Sequence, residues 1–155
     1  GVGLVGSEMC IRDRNMDLLG DNTREKMMAD QIIENGLRDK LSEIWGCEAT
    51  LYYPGKYAGA ADCIGIYENK ETIIDFKQSN KPEKDEWIDD YYLQCAAYSL
   101  AHNKVHGSNI TQAAILLCTK ENTFQRFIVE GERLINYQNQ FMEKVEQFYS
   151  QRMVN

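Results

Sequence analysis

The chain has 155 residues, of which 43% are apolar, 26% are charged and five are cysteine, and its net charge is −7. That length supplies one hydrophobic core, so a single globular domain is expected. No apolar run approaches the roughly 18 residues of a membrane span, Gly1 to Gly6 is too short and uncharged for a secretory signal, and the acidic balance excludes a broad basic nucleic-acid surface while leaving room for a local one.

Residues 1–14 show neither helical nor strand periodicity. Ser7 to Arg14 read as the conceptual translation of a sequencing-library adapter joined to a shortened reading frame, and the domain is expected over residues 15–155. Thr23 is placed to cap a helix running toward Asn35, with Met28, Ile32 and Ile33 on its apolar side. Asn35-Gly36 breaks it before an apolar set at Leu37, Leu41, Ile44 and Trp45. A first strand is expected over Cys47 to Tyr53, closed by Pro54-Gly55, a second over Ala58 to Tyr67, and a third over Glu71 to Lys77, with Glu68-Asn69-Lys70 as hairpin turn. Asn80 to Asp85 reads as a loop and Glu86 to Lys104 as a helix whose Ala96, Ala97 and Ala101 permit close packing. Thr111 to Thr119 is a buried apolar strand with Thr123 to Glu130 as its neighbour. Glu132 to Ser150 closes the chain as a helix with Leu134, Phe141, Val145 and Phe148 at core spacing.

Chemistry concentrates on the third strand. Side chains alternate across a strand, so Asp75 and Lys77 project side by side from one face. Asp62, thirteen residues upstream on the neighbouring hairpin strand, can bring a second carboxylate beside them. Hard oxygen ligands of this kind suit magnesium or manganese, and a lysine beside the ion can orient and help deprotonate an attacking water. Taken alone, an Asp-x-Lys pair is more often a minor ion pair on a solvated face. Here Ile73, Ile74 and Phe76 surround the pair with core-seeking residues, and Gly59, Ala60 and Ala61 before Asp62 leave room for a ligand. Gln94 and Tyr98, four apart on the following helix, share a face that would lie over the site.

The ordered set Gly59-x-x-Asp62, Ile73-Ile74-Asp75-Phe76-Lys77 and Gln94-x-x-x-Tyr98 resembles the PD-(D/E)XK nuclease superfamily. It is most similar to the RecB-like exonuclease branch, which includes phage exonucleases and the mitochondrial genome maintenance exonuclease. The run from Tyr53-Pro54-Gly55-Lys56 through Asp75-Phe76-Lys77-Gln78-Ser79, Trp87-Ile88-Asp89-Asp90-Tyr91 and Gln94-Cys95-Ala96-Ala97-Tyr98 to His102 looks like the tailed-phage members. The likeness extends from about Met27 to Tyr149.

The resemblance implies an α/β (α+β) fold with a restriction-endonuclease-like core, a central mixed sheet flanked by helices. It implies that Asp62 and Asp75 ligate the metal with the Phe76 carbonyl, and that Lys77 orients the water. Gln94 would touch the scissile region or Lys77, and Tyr98 would support the helix or a phosphate. Ser79, Lys81 and Trp87 are the candidate substrate contacts; Trp87 either stacks a base or anchors the helix start, the latter being favoured. Relatives in this branch begin with a Gly-x-x-x-His-x-x-x-Glu helix that adds to the active site, and no such segment precedes Asn15, so the chain reads as N-terminally truncated with one wall missing.

The expected activity is therefore a metal-dependent DNA exonuclease, phage-encoded, acting on single strands or DNA ends in recombination, replication or degradation within the cytoplasm of an infected bacterium. The competing readings are a catalytically silent DNA-binding module and an endonuclease on the same core. Three smaller signals weigh less. His102 and His106 have metal-ligand spacing but no third ligand, which favours surface or capping roles; Glu48 could add a carboxylate; and Cys10, Cys47, Cys63, Cys95 and Cys118 lack Cys-x-x-Cys spacing, so disulfides, zinc and iron–sulfur ligation are not expected.

Overall fold

Met28 and Ala29 are buried on the first helix, α1 (Thr23–Gln31), and Ile32 and Ile33, one turn further on, continue the same apolar stripe beyond its end. A computed structural model of the chain describes residues 23–154; residues 1–22, and with them the adapter-like segment, lie outside the described residues. After α1 the chain widens into a π-helical turn, Ile32–Leu37. Gly36 permits this turn to press on the sheet, since a Cβ there would stand 2.9 Å from Leu116 Cδ1.

Five strands follow the expected order: β1 (Leu41–Tyr53), β2 (Tyr57–Tyr67), β3 (Lys70–Ser79), β4 (Gln112–Thr119) and β5 (Phe124–Glu130). They form one sheet in the order β1-β2-β3-β4-β5, antiparallel except for the parallel pair β3–β4. That parallel step needs a crossover, which helix α2 (Asp89–His106) provides. The β2–β3 turn is two residues long, with both Glu68 (φ 48°) and Asn69 (φ 66°) left-handed, the conformation that matches the twist of an antiparallel pair. The last helix, α3 (Gly131–Val154), packs beside α2.

Strand alternation divides the core in two. Ile73, Ala113 and Ile115 face α2 and α3 and pack with Ile64, Tyr92, Cys95 and Ala96. Ile74, Phe76, Ala114 and Leu116 face α1 and pack with Met28, Ile32 and Ile33. Each fully buried Ile or Leu contributes roughly 1.5–3 kcal/mol, so the near-continuous apolar run of β4 is what a strand covered on both faces requires.

Three expectations need correction. β1 starts at Leu41, six residues before Cys47, because irregularities between Leu41 and Glu43 and between Ile44 and Gly46 break the two-residue alternation and leave a helix-like apolar spacing in a strand. Phe148 is 51% exposed and not core, since α3 continues past Val145, the last of the expected core positions to be buried. Cys63, Cys95 and Cys118 are buried free thiols as expected, but Cys47 is disulfide-bonded.

Candidate active site

The site begins where the β2–β3 ladder stops. The strands pair from Tyr67 with Lys70 to Cys63 with Ile74, after which β3 runs on against β4 alone, through Asp75 with Ile115 to Ser79 with Thr119. Ala61 and Cys63 would share a face in a regular strand, yet they pack into opposite cores, so β2 turns over at Asp62. Asp62 Oδ2 then takes the place of a ladder carbonyl and accepts the Phe76 amide at 2.8 Å. The two carboxylates face each other across the fork.

Asp75 shares the α2-facing side of β3 with Ile73, and Lys77 follows it two residues on. Lys77 Nζ lies 3.0 Å from Asp75 Oδ2 and donates to Gln94 Oε1 at 3.3 Å, while Gln94 Nε2 donates to Tyr98 Oη at 2.9 Å. The ammonium also stands 4.7 Å from the centre of the Tyr91 ring. One chain of polar contacts thus runs from the sheet along the exposed face of α2, where residues 91, 94 and 98 share helical spacing.

Burial sets the electrostatics. Asp75 is only 5% exposed. Loss of solvent raises its carboxyl pKa, hydrogen bonding and repulsion from Asp62 raise it further, Lys77 opposes, and the outcome is about 7. Desolvation pushes the Lys77 ammonium toward neutrality, but Asp75 and then Asp62 outweigh it and hold the group above its ordinary value. Beneath the pair, the fully buried Cys95 thiol is pushed well up by desolvation and then by Asp75, and remains neutral. Asp75 Oδ2 is buried and accepts no well-aligned hydrogen bond despite the nearby ammonium. A buried oxygen without a hydrogen bond, beside a second carboxylate, is an environment that a hard divalent cation relieves. Among the described residues no group of three His, Cys, Asp or Glu forms a metal cage. If a hard divalent ion such as magnesium bound at the fork, Asp62 and Asp75 would be its carboxylate ligands and water would fill most of its other positions.

No family model matches the sequence, and no curated protein matches it. Among solved structures, the fold is similar to that of a candidate exonuclease from Eubacterium rectale, with a TM-score of 0.55 and 19% identity, covering 85% of this chain and 54% of that one. The likeness is one of fold. This chain spans about half the length of that protein.

Of the nine residues singled out in the sequence, Asp62, Asp75, Phe76, Lys77, Gln94 and Tyr98 come together at the fork, while Ser79, Lys81 and Trp87 lie at the end of β3 and on the segment that leaves it. Ser79 Oγ donates to the Lys81 carbonyl at 2.6 Å and accepts the Lys81 amide at 3.3 Å, which shapes that loop. Lys81 is exposed. Trp87 is 61% exposed, against the expectation that it anchors the helix start; Ile88 at 2% and Tyr92 at 0% perform that task, and Lys84 Nζ rests 4.9 Å over the indole. Glu48 is exposed at φ 48°. His102 is buried, its Nδ1 2.6 Å from Ser108 Oγ and its ring stacked on Trp45, so it braces the end of α2. Tyr91 belongs to the run that carries the resemblance but was assigned no role at the site, although its spacing from Gln94 and Tyr98 marked it. Tyr57, Phe141 and Lys144, which line a cleft beside Lys77, carried no local signal, because only tertiary packing brings α3 to β2.

Proposed function

We propose that the chain is a metal-dependent deoxyribonuclease of the PD-(D/E)XK type that digests DNA from its ends. The observation that carries this reading is the fork in the sheet, where a buried carboxylate, ion-paired to a charged lysine but accepting no well-aligned hydrogen bond at that oxygen, meets a second carboxylate. Fold likeness to a candidate exonuclease supports it. A bound magnesium or manganese would polarise the phosphate and lower the pKa of a bound water. Asp62 and Asp75 hold and orient the ion, with the Phe76 carbonyl as a further ligand. Lys77, kept as an ammonium, donates hydrogen bonds to the water or to the charge that develops on phosphate. Gln94 and Tyr98 fix the ammonium's direction, and Lys81, Ser79 and Trp87 bound the exit of the strand, where the exposed indole offers a face to a base.

On the resemblance to tailed-phage members, the activity serves recombination, replication or degradation of DNA in the cytoplasm of an infected bacterium, and single strands or frayed ends are the preferred substrate. A silent DNA-binding module would have no use for a paired, desolvated carboxylate, which costs stability unless chemistry requires it. Incubation with linear and with covalently closed circular single-stranded DNA in magnesium tests the reading: mononucleotides or short fragments should form from the linear strand alone. Cutting of the circle would favour the endonuclease alternative, and no cutting of either would favour the silent one.

A further inference from the structure

Resting on that nuclease reading, we propose that the cleft between α2 and α3 is a nucleotide subsite, which seats one base of a single strand and its outer phosphate beside the cleaved bond. The cleft measures about 570 Å³, within the roughly 300–1,000 Å³ of sites that hold one small ligand. Its floor is low because Ala58, Gly59 and Ala97 carry little or no side chain. Tyr98 lies so close over Gly59 that a Cβ there would stand 2.7 Å from Cε1.

The walls are aromatic and already fixed. Tyr57 Oη donates to the Ala97 carbonyl at 2.7 Å, and its ring meets Phe141 edge-on with centroids 4.8 Å apart. Tyr91 is held from the other side by Lys77. Rings set in advance lose little freedom when a flat partner arrives. The polar groups complement an anion: Lys77 borders the cleft from β3 and Lys144 from α3, against one carboxylate, Asp90. Lys144 is three residues beyond Phe141, so ring and ammonium share a face of α3.

A purely apolar ligand would make no use of the Lys144 ammonium at the rim, and a free phosphate would leave the rings unused. A nucleotide uses both. Because Lys77 also belongs to the carboxylate fork, a base seated here places the adjoining phosphate at the reacting group, with Lys144 on the next one. This gives a chain of net charge −7 a local attraction for a strand.

The test is equilibrium binding of a fluorescent oligothymidylate, phosphorothioate-linked and so resistant to cleavage, to the full chain in magnesium over a range of salt. Lys144→Glu, at an exposed position, should lower affinity about tenfold and flatten the salt slope by about 0.7, the share of one phosphate contact on a single strand. Lys104→Ala, on the far end of α2, should match the wild type. Phe141→Ala should weaken binding about fivefold or more, as loss of a stacked base does, and that penalty should vanish on a fully abasic oligonucleotide. Wild-type affinity and slope in Lys144→Glu would overturn the subsite, and would leave the nuclease reading standing if the wild type still cleaves. An equal penalty from Phe141→Ala on both ligands would overturn base stacking. Absence of DNA binding by the wild type at every salt concentration would overturn both the subsite and the nuclease reading.

Discussion

At Asp75 one side chain combines three conditions that rarely coincide: near-complete burial, a neighbouring carboxylate and a lysine two residues away. Asp75→Asn and Asp62→Asn should each abolish DNA cleavage and weaken manganese binding, measured by calorimetry, with the fold retained by circular dichroism. Lys77→Ala removes a positioned donor and not a metal ligand, so its rate should fall roughly a hundredfold or more at saturating metal with metal affinity little changed. The raised Asp75 pKa has a thermodynamic sign. The folded carboxyl titrates near 7 and the unfolded one near 3.8, so the folded state binds the extra proton between these values, and the stability it contributes declines above about 3.8 and is gone above about 7. Metal-free protein should therefore melt at a lower temperature at pH 8 than at pH 5, by a margin that Asp75→Asn reduces. Magnesium should restore the loss at pH 8, because the ion binds the ionised form.

At the scale of elements, the site depends on how β2 meets its neighbours. A Cβ on Gly59 would collide with the Tyr98 ring, so Gly59→Ala should swing that ring off Gln94 and slow cleavage while the melting temperature barely moves. Gly65 is different: a Cβ there would stand 2.0 Å from the Glu43 carbonyl oxygen, which belongs to the backbone and cannot turn aside. Gly65→Ala should separate β1 from β2 and lower the melting temperature by roughly 5 °C or more. Much of this layer was legible beforehand. Asp75 and Lys77 follow from alternation along one strand, Gln94 and Tyr98 from spacing along one helix, and the Glu68-Asn69 turn from its residue types, since all three are local rules. The start of β1 was not, because its bulges disguise the alternation, and neither was the exposure of Trp87, because Ile88 beside it competes for the same buried place. Lys144 and Phe141 were invisible as site residues, since nothing within α3 says which strand it will lie beside.

For the molecule as a whole, five strands with one parallel step carry the two carboxylates to the same fork, helices pack on both faces of the sheet, and the cleft beside the fork opens on the α2 side. No helix among the described residues is long and apolar enough to cross a membrane, and with acidic groups outnumbering basic ones by 24 to 17, the proposed attraction for DNA rests on a few lysines near the fork and not on the surface at large. Binding should accordingly show a shallow salt dependence, equivalent to about two or three phosphate contacts, where a broad basic surface would give six to ten. The most direct test of the central claim is cleavage of end-labelled linear single-stranded DNA by the wild type and by Asp75→Asn, each with magnesium and with chelator. The wild type should release label in magnesium alone; release by Asp75→Asn at the wild-type rate, or by the wild type in chelator, would mean that cleavage does not run through a metal held at this fork.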